Sequence, residues 1–315
     1  MQEVILETGE HRRKVMREAV EQLGDDFISR VKSADSILLK VNLVHHEHQL
    51  ASTHIDAVRG VLDVIRLHGR GKVFVGDASF HGTQAAFAHF GYEHLLNEYQ
   101  NVVLIDLNED VTVPGYSIRR NGDQNVMQRS KTAVDADLRI SLAPMKVHRD
   151  MAVSLSVKNW TIGTWVVPPR NSQEGRVWAR WPWLHEEGNW AMHASVAALY
   201  EQLPCDVAII DGIQAMEGDG PTRGTTVPMQ VILAGMDAVA VDAVAATLMG
   251  IDPGDIGYLN MLGEKELGIM DLAKINVPPM EMTQRARNFL RPPGLDQRLL
   301  AWKHESPHVT LESTN

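Results

Sequence analysis

The chain has almost no cysteine: Cys205 is its single thiol in 315 residues. No disulfide can form within it, and neither a cysteine-ligated iron–sulfur cluster nor a thiolate zinc site can be built. Cys205 stands beside Asp206 just ahead of an apolar run. It reads as a core-edge residue, the alternative being a nucleophile. Basic charge is also scarce. There are 30 Lys and Arg against 40 Asp and Glu, a formal net charge of -10. That argues against a nucleic-acid surface, because phosphate binding needs a concentrated basic face. A locally basic pocket for an anionic small molecule remains open. Long apolar runs are missing too. None reaches the roughly 18 residues of a membrane span. The opening residues read as a charged amphipathic helix without the apolar segment of a signal peptide. These absences predict a cytoplasmic protein with neither nucleic-acid nor membrane partners.

What is present is ordinary for a globular protein: 44% hydrophobic and 22% charged residues. The length suits one large α/β domain or two lobes. Short β-branched runs at 36–44, 72–75, 102–107, 138–143, 207–210 and 229–234 predict strands. Segments 53–67, 84–99 and 238–249 predict helices. Alternating elements of this kind predict an α/β fold with a largely parallel sheet and flanking helices. The expected organisation is a domain over 1–275, with closely packed lobes at about 1–140 and 141–275 and a cleft between them. A tail follows over 276–315, with a loose end after Pro307.

Ligands in such sheets bind beyond the carboxyl ends of the strands, and polar candidates cluster there. Residues 141–163 place Lys146, His148, Lys158 and Asn159 around an apolar run. Buried cations and imidazoles are costly unless partnered, so a core segment rich in them points to chemistry or binding. Lys146 and His148 alternate and would share one face of an extended backbone. A neighbouring lysine lowers a histidine's pKa and leaves it neutral, able to act as a base. The bland alternative is two surface lysines near a structural histidine. Lys40 and Asn42 would likewise point together. His46 and His48 form a His-x-His pair that suits a divalent metal, or else a solvated loop. Ser52 or Thr53 can cap the following helix.

Asp211 opens a loop with four glycines, among them Gly218 and Gly220, and with Glu217. Its backbone can approach an anion closely, and its carboxylates can serve as acid, base or metal ligand. No Gly-Lys-Ser/Thr follows, so it is not a nucleotide-binding P-loop. A glycine-rich turn is the alternative. Asp237 is a natural N-cap, and Asp242 on the same small-residue helix would need a partner such as Lys146 or Lys158. Six of the seven tryptophans fall within 160–190. Dense tryptophan argues against disorder. The insert reads as a packed lid that excludes water, as a docking face for a second copy of the chain, or as a loop folded on its own core.

Several of these blocks together resemble the bacterial and archaeal family called domain of unknown function 362. They are Lys40 to Leu43, Thr53-His54, Val75 to Asp77, Lys146 to His148, Ser156 to Asn159 with Gly163, Asp211-Gly212, Glu217 to Pro221, and Ala240 to Asp242. Some members of that family carry iron–sulfur segments, which this chain cannot with Cys205 alone. The Lys-x-His strand and the later glycine loop also look, more distantly, like the lactate racemase family, whose site binds a nickel-pincer nucleotide between two α/β lobes. That likeness implies a cofactor or substrate near Lys146 and His148.

The residues point first to an enzyme acting on a small anionic metabolite by proton transfer. In that reading Lys146, His148, Lys158 and Glu217 are catalytic, with His148 as base. Lys40, Asn42, Asn159, Asp211, Gly218 and Gly220 bind the ligand, and His46, His48 and Asp211 are candidates for a divalent metal. The alternatives are a non-catalytic metal- or cofactor-binding protein and a scaffold docking through its tryptophans.

Overall fold

A computed structural model describes residues 1–173 and 175–307. The loose end expected after Pro307 lies outside the described residues. The strands of the main sheet are β1 (Ile5–Thr8), β2 (Ser36–Lys40), β3 (Lys72–Asp77), β4 (Val102–Asp106), β5 (Leu138–His148), β6 (Ala152–Ser154), β7 (Val207–Glu217), β8 (Thr225–Val227) and β9 (Val231–Gly235). Their order is β1-β9-β7-β5-β2-β3-β4. The run from β7 to β4 is parallel, while β9 and β1 are antiparallel at one edge. Short β6 and β8 fold back on the ends of β5 and β7. The fold is therefore the predicted α/β architecture with a mostly parallel sheet. The division expected at residue 140 falls inside β5, so hydrogen bonds of one sheet join the two halves of the chain.

Central parallel strands are covered on both faces and so read as continuous apolar runs. Ile37, Leu39, Ile140, Leu142 and Ile209 face one core, built with helices α1 (Arg12–Glu21) and α2 (Ile55–His68). Leu38, Ala208 and Ile210 face the other, built with α3 (Ser156–Gly163), α4 (Asn189–Gln202) and α5 (Ala238–Leu248). Among the described residues, no helix is long and apolar enough to cross a membrane.

Some elements differ from expectation. The opening helix begins only at Arg12, because buried Ile5 and Leu6 pair with β9 as an edge strand. The helix expected over 84–99 stops at His89, and Gly91 follows at φ +73°, a left-handed turn that interrupts it. β5 and β7 run on past their apolar starts to His148 and Glu217. α4 had no periodic signal because its middle residues, from Ala191 to Tyr200, are all buried.

The tail, expected as an extended or helical wrap, docks through short helices. Phe289, Leu295 and Trp302 are buried, and the Trp302 indole donates to the Asp255 carbonyl (2.9 Å). Glu305 accepts from the backbone N–H groups of Asn189 and Trp190 at the start of α4 (2.6 and 3.2 Å). Asp237 caps α5 as expected, accepting from Val239 and Ala240 (2.9 and 3.1 Å).

Candidate functional site

The carboxyl ends of β2, β3 and β5 bring Lys40, Asp77, Lys146 and His148 to one place. Five side chains there form a relay. Lys40 Nζ meets Asp77 Oδ1 (2.7 Å) and donates to Asn159 Oδ1 (2.9 Å) and to the Val41 carbonyl. Asn42 Nδ2 donates to the same Asn159 oxygen (3.0 Å), and Asn42 Oδ1 accepts from Lys146 Nζ (2.7 Å). Lys146 also donates to the Ala51 carbonyl (2.6 Å). Asp77 Oδ2 accepts the Leu43 N–H (2.6 Å). Lys40, Lys146, Asp77 and Asn159 are buried, and their polar atoms are satisfied by one another as low polarity demands.

α3 supplies Asn159, and its last residue, Gly163, makes the close approach to Lys40. A Cβ at Gly163 would lie 2.2 Å from Lys40 Cε and Nζ and 2.8 Å from Asp77 Oδ1. Gly163→Ala is therefore expected to displace the ion pair and destabilise the fold by about 1–3 kcal/mol. A urea unfolding midpoint equal to that of the parent would refute this.

Above the relay lies an inner chamber of about 170 Å³. Asn42, Lys146, His148, Lys158 and Asp77 form its floor and sides. The roof comes from the tryptophan-rich insert: Trp178, Arg180, Trp181, Leu184 and His185. His148, Trp181, His185 and Pro221 also border a wider vestibule of about 660 Å³, which adds Arg149, Arg223 and Arg298. Arg180 is buried, donating to the Trp165 and Trp178 carbonyls and to Asn108 Oδ1 (2.6, 3.0 and 2.9 Å). The insert thus packs inward through Trp160, Trp165 and Trp178, while Trp181 and Trp183 keep exposed faces.

Burial sets the electrostatics. Lys146 is held well below the ordinary lysine range, first by desolvation and then by the Lys158 charge. Lys158 is lowered to about 8, chiefly by burial, with Asp150 opposing. Burial and the nearby lysine likewise push His148 well below the usual imidazole value, so it is neutral at pH 7.

His148 Nδ1 accepts from the N–H groups of Asp150 and Met151 (3.1 and 3.3 Å). An accepting Nδ1 in a neutral ring leaves the proton on Nε2. His148 thus presents a donor, and its expected role as base is corrected. The unsuspected histidine is His185, on the insert. Its Nδ1 lies 3.1 Å from Asp150 Oδ2. A carboxylate at Nδ1 holds a proton on that nitrogen and fixes the ring's orientation. The pairing holds Asp150 below the usual carboxylate range.

Other expectations are corrected by position. Asp211 lies 2.8 Å from Arg12 of α1, on the face of β7 it shares with Ile209, away from the chamber. Glu217 Oε2 accepts the Leu290 N–H (2.8 Å), and the Gly218 N–H donates to the Leu290 carbonyl (2.7 Å), so this pair anchors the tail. Gly220 packs on the Val147 carbonyl, where a Cβ would come within 2.2 Å. Pro221 is the part of that loop that lines both cavities. Lys40 is fully buried behind Asn159, with its three donor directions in use, and supports the site rather than touching a ligand. His45 and His48 border the vestibule, with ring centroids 4.0 Å apart. Burial and its histidine neighbours lower His45 to about 4. Among the described residues, no three His, Cys, Asp or Glu side chains are grouped to hold a metal ion. The candidate ligands His46, His48 and Asp211 are therefore not grouped as one metal site.

His54, not Ser52 or Thr53, caps α2, accepting the Asp56 N–H (3.1 Å). Thr53 Oγ1 instead accepts from Asn42 N (2.9 Å) and donates to the Leu142 carbonyl (3.0 Å). Asp242 accepts the Ser156 and Val157 N–H groups at the start of α3 (2.8 and 3.0 Å) and pairs with neither lysine. Cys205 is buried with its thiol pushed up, which suits a core residue.

The arrangement can now be set beside known proteins. The family described as Domain of unknown function (DUF362) matches residues 37–247. The chain belongs to this DUF362 family. That span contains the whole relay together with Asp150 and His185. The "Thylakoid-associated protein sll1697" of Synechocystis sp. is 29% identical over 246 residues, covering 76% of this chain and 70% of that protein. The lactate racemase apoprotein from Thermoanaerobacterium thermosaccharolyticum superposes with a TM-score of 0.50 at 16% identity. The match covers 78% of this chain and 57% of the racemase chain, and the likeness is one of fold.

Proposed function

We propose that this DUF362 protein is an enzyme that moves a proton next to the carbonyl or carboxylate of a small anionic metabolite. The Asp150–His185 pair at the lip of the lysine-floored chamber carries the reading. His185 Nε2 is the base, taking the proton from carbon while Asp150 stabilises the imidazolium. Lys146 and Lys158 attract the anion into a pocket from which the tryptophan roof excludes water. His148 Nε2–H donates to the oxygen on which negative charge develops, as a neutral imidazole can.

The test is proton exchange in deuterium oxide. Pyruvate, lactate and malate, each followed by proton NMR, are the substrates to offer first. At least one is expected to lose its C–H signal in an enzyme-dependent way, and His185→Gln is expected to slow that loss by about 10²–10⁴-fold. Exchange that His185→Gln leaves unchanged would overturn the assignment. So would the absence of both exchange and oxalate binding.

A further inference from the structure

We propose that Lys158 is a covalent nucleophile, forming an imine with the carbonyl carbon of a small 2-oxo acid held in the inner chamber. This rests on the reading of the chamber as a site for anionic carbonyl compounds and adds a covalent step to it. A lysine ammonium has three N–H directions. Lys40 uses all three on Asp77, Asn159 and the Val41 carbonyl. Lys146 has two fixed on Asn42 and Ala51. Lys158 Nζ makes no hydrogen bond or ion pair among the described residues, yet it borders the chamber. It is the amine with freedom to attack.

Its backbone is not free. Asn159, the next residue, makes four side-chain contacts to Lys40, Asn42 and Ser141. Ile162, one turn along α3, lines the same cavity. The amine therefore swings from a fixed root beneath the tryptophan roof. A chamber of about 170 Å³ has room for a small molecule of the size of pyruvate. The substrate carboxylate would face Lys146 and the Arg180 charge, with its carbonyl oxygen toward His148.

The chemistry needs no external oxidant or reductant. The neutral amine's lone pair forms the C–N bond as the C=O π pair moves onto oxygen. That oxygen takes a proton, the nitrogen gives one up, and a second proton on the carbinolamine oxygen lets it leave as water. The iminium that remains draws electrons from the adjacent carbon, whose proton passes to His185. Burial lowers Lys158 to about 8. About one amine in ten is then neutral at pH 7, against fewer than about one in a thousand for an ordinary lysine.

The experiment is reductive trapping of the full chain with pyruvate and sodium cyanoborohydride, followed by peptide mapping. Alkylation is expected at Lys158 about tenfold or more faster than at any surface lysine, as the difference in neutral fraction requires, and faster than at Lys146, whose amine is held by Asn42 and the Ala51 carbonyl. Its rate should rise with pH to a midpoint near 8. Oxalate should suppress it, and Lys158→Arg, checked for folding by its thermal melt, should abolish it. Alkylation spread evenly over surface lysines would overturn the proposal. Oxalate binding, or carbon–hydrogen exchange, without alkylation at Lys158 would overturn the imine alone and leave the proton-transfer reading standing. Loss of oxalate binding, exchange and trapping together would remove both.

Discussion

Lys40→Met is expected to destabilise the protein by about 3–5 kcal/mol. The methionine fills much the same space, but Asp77 is then left as a buried carboxylate without its cation. Asn159 Oδ1 loses a donor at the same moment. The double variant Lys40→Met with Asp77→Asn should recover a large part of the loss. A neutral amide at 77 needs no counter-charge and still accepts the Leu43 N–H that Asp77 Oδ2 holds at 2.6 Å. Urea unfolding of parent, singles and double gives the coupling energy directly. A loss below about 1 kcal/mol for Lys40→Met would mean that the pair contributes no more than a surface ion pair.

Lys158→Met should do the opposite and stabilise the fold, by about 2–3 kcal/mol at pH 7. Below about pH 8, folded and unfolded chains both carry the proton on Lys158, and the folded chain holds that charge where burial disfavours it. From about 8 up to the unfolded value of 10.5, the folded chain releases its proton first. The parent therefore gains stability relative to the variant across that interval, and above it the difference vanishes. Stability curves of the two proteins from pH 7 to 11 measure this. A variant less stable than the parent at pH 7, or a gap that does not close with rising pH, would contradict it. A lysine retained against its own destabilising effect is what a functional group is expected to look like.

The relay was partly legible in the sequence because strand alternation is a strong rule. It put Lys146 with His148 and Lys40 with Asn42, and the structure keeps both pairings. The same rule could not place Asp211. β7 is buried on both faces, so neither side of Val207–Ile210 is marked by polarity, and the choice of face rested on nothing local. Arg180 and His185 were invisible for a different reason. They sit in an irregular insert without period, and their partners lie far away in sequence: Asn108 for Arg180 and Asp150 for His185. The alternation put His148 beside Lys146, but its tautomer depends on two backbone N–H groups of the turn that follows it, which no local pattern shows. Glu217 and its glycines had the composition of an anion loop, but the tail from Phe289 uses them.

The relay also has a direction. Asn159 receives two donors on its oxygen and gives both amide hydrogens away, to the Lys40 carbonyl and Ser141 Oγ. Turning that amide over would set donor against donor at Lys40 Nζ and Asn42 Nδ2 and oxygen against oxygen at the Lys40 carbonyl and Ser141 Oγ, and Asn42 and Lys146 would have to follow. The floor of the chamber is therefore locked in one hydrogen-bonded arrangement. Under the proposed function, discrimination between one small anion and another would fall to the roof, where Trp178, Trp181 and Leu184 stand on loop and short helix rather than on the sheet. The fixed floor and the roof above it are thus separate pieces of chain.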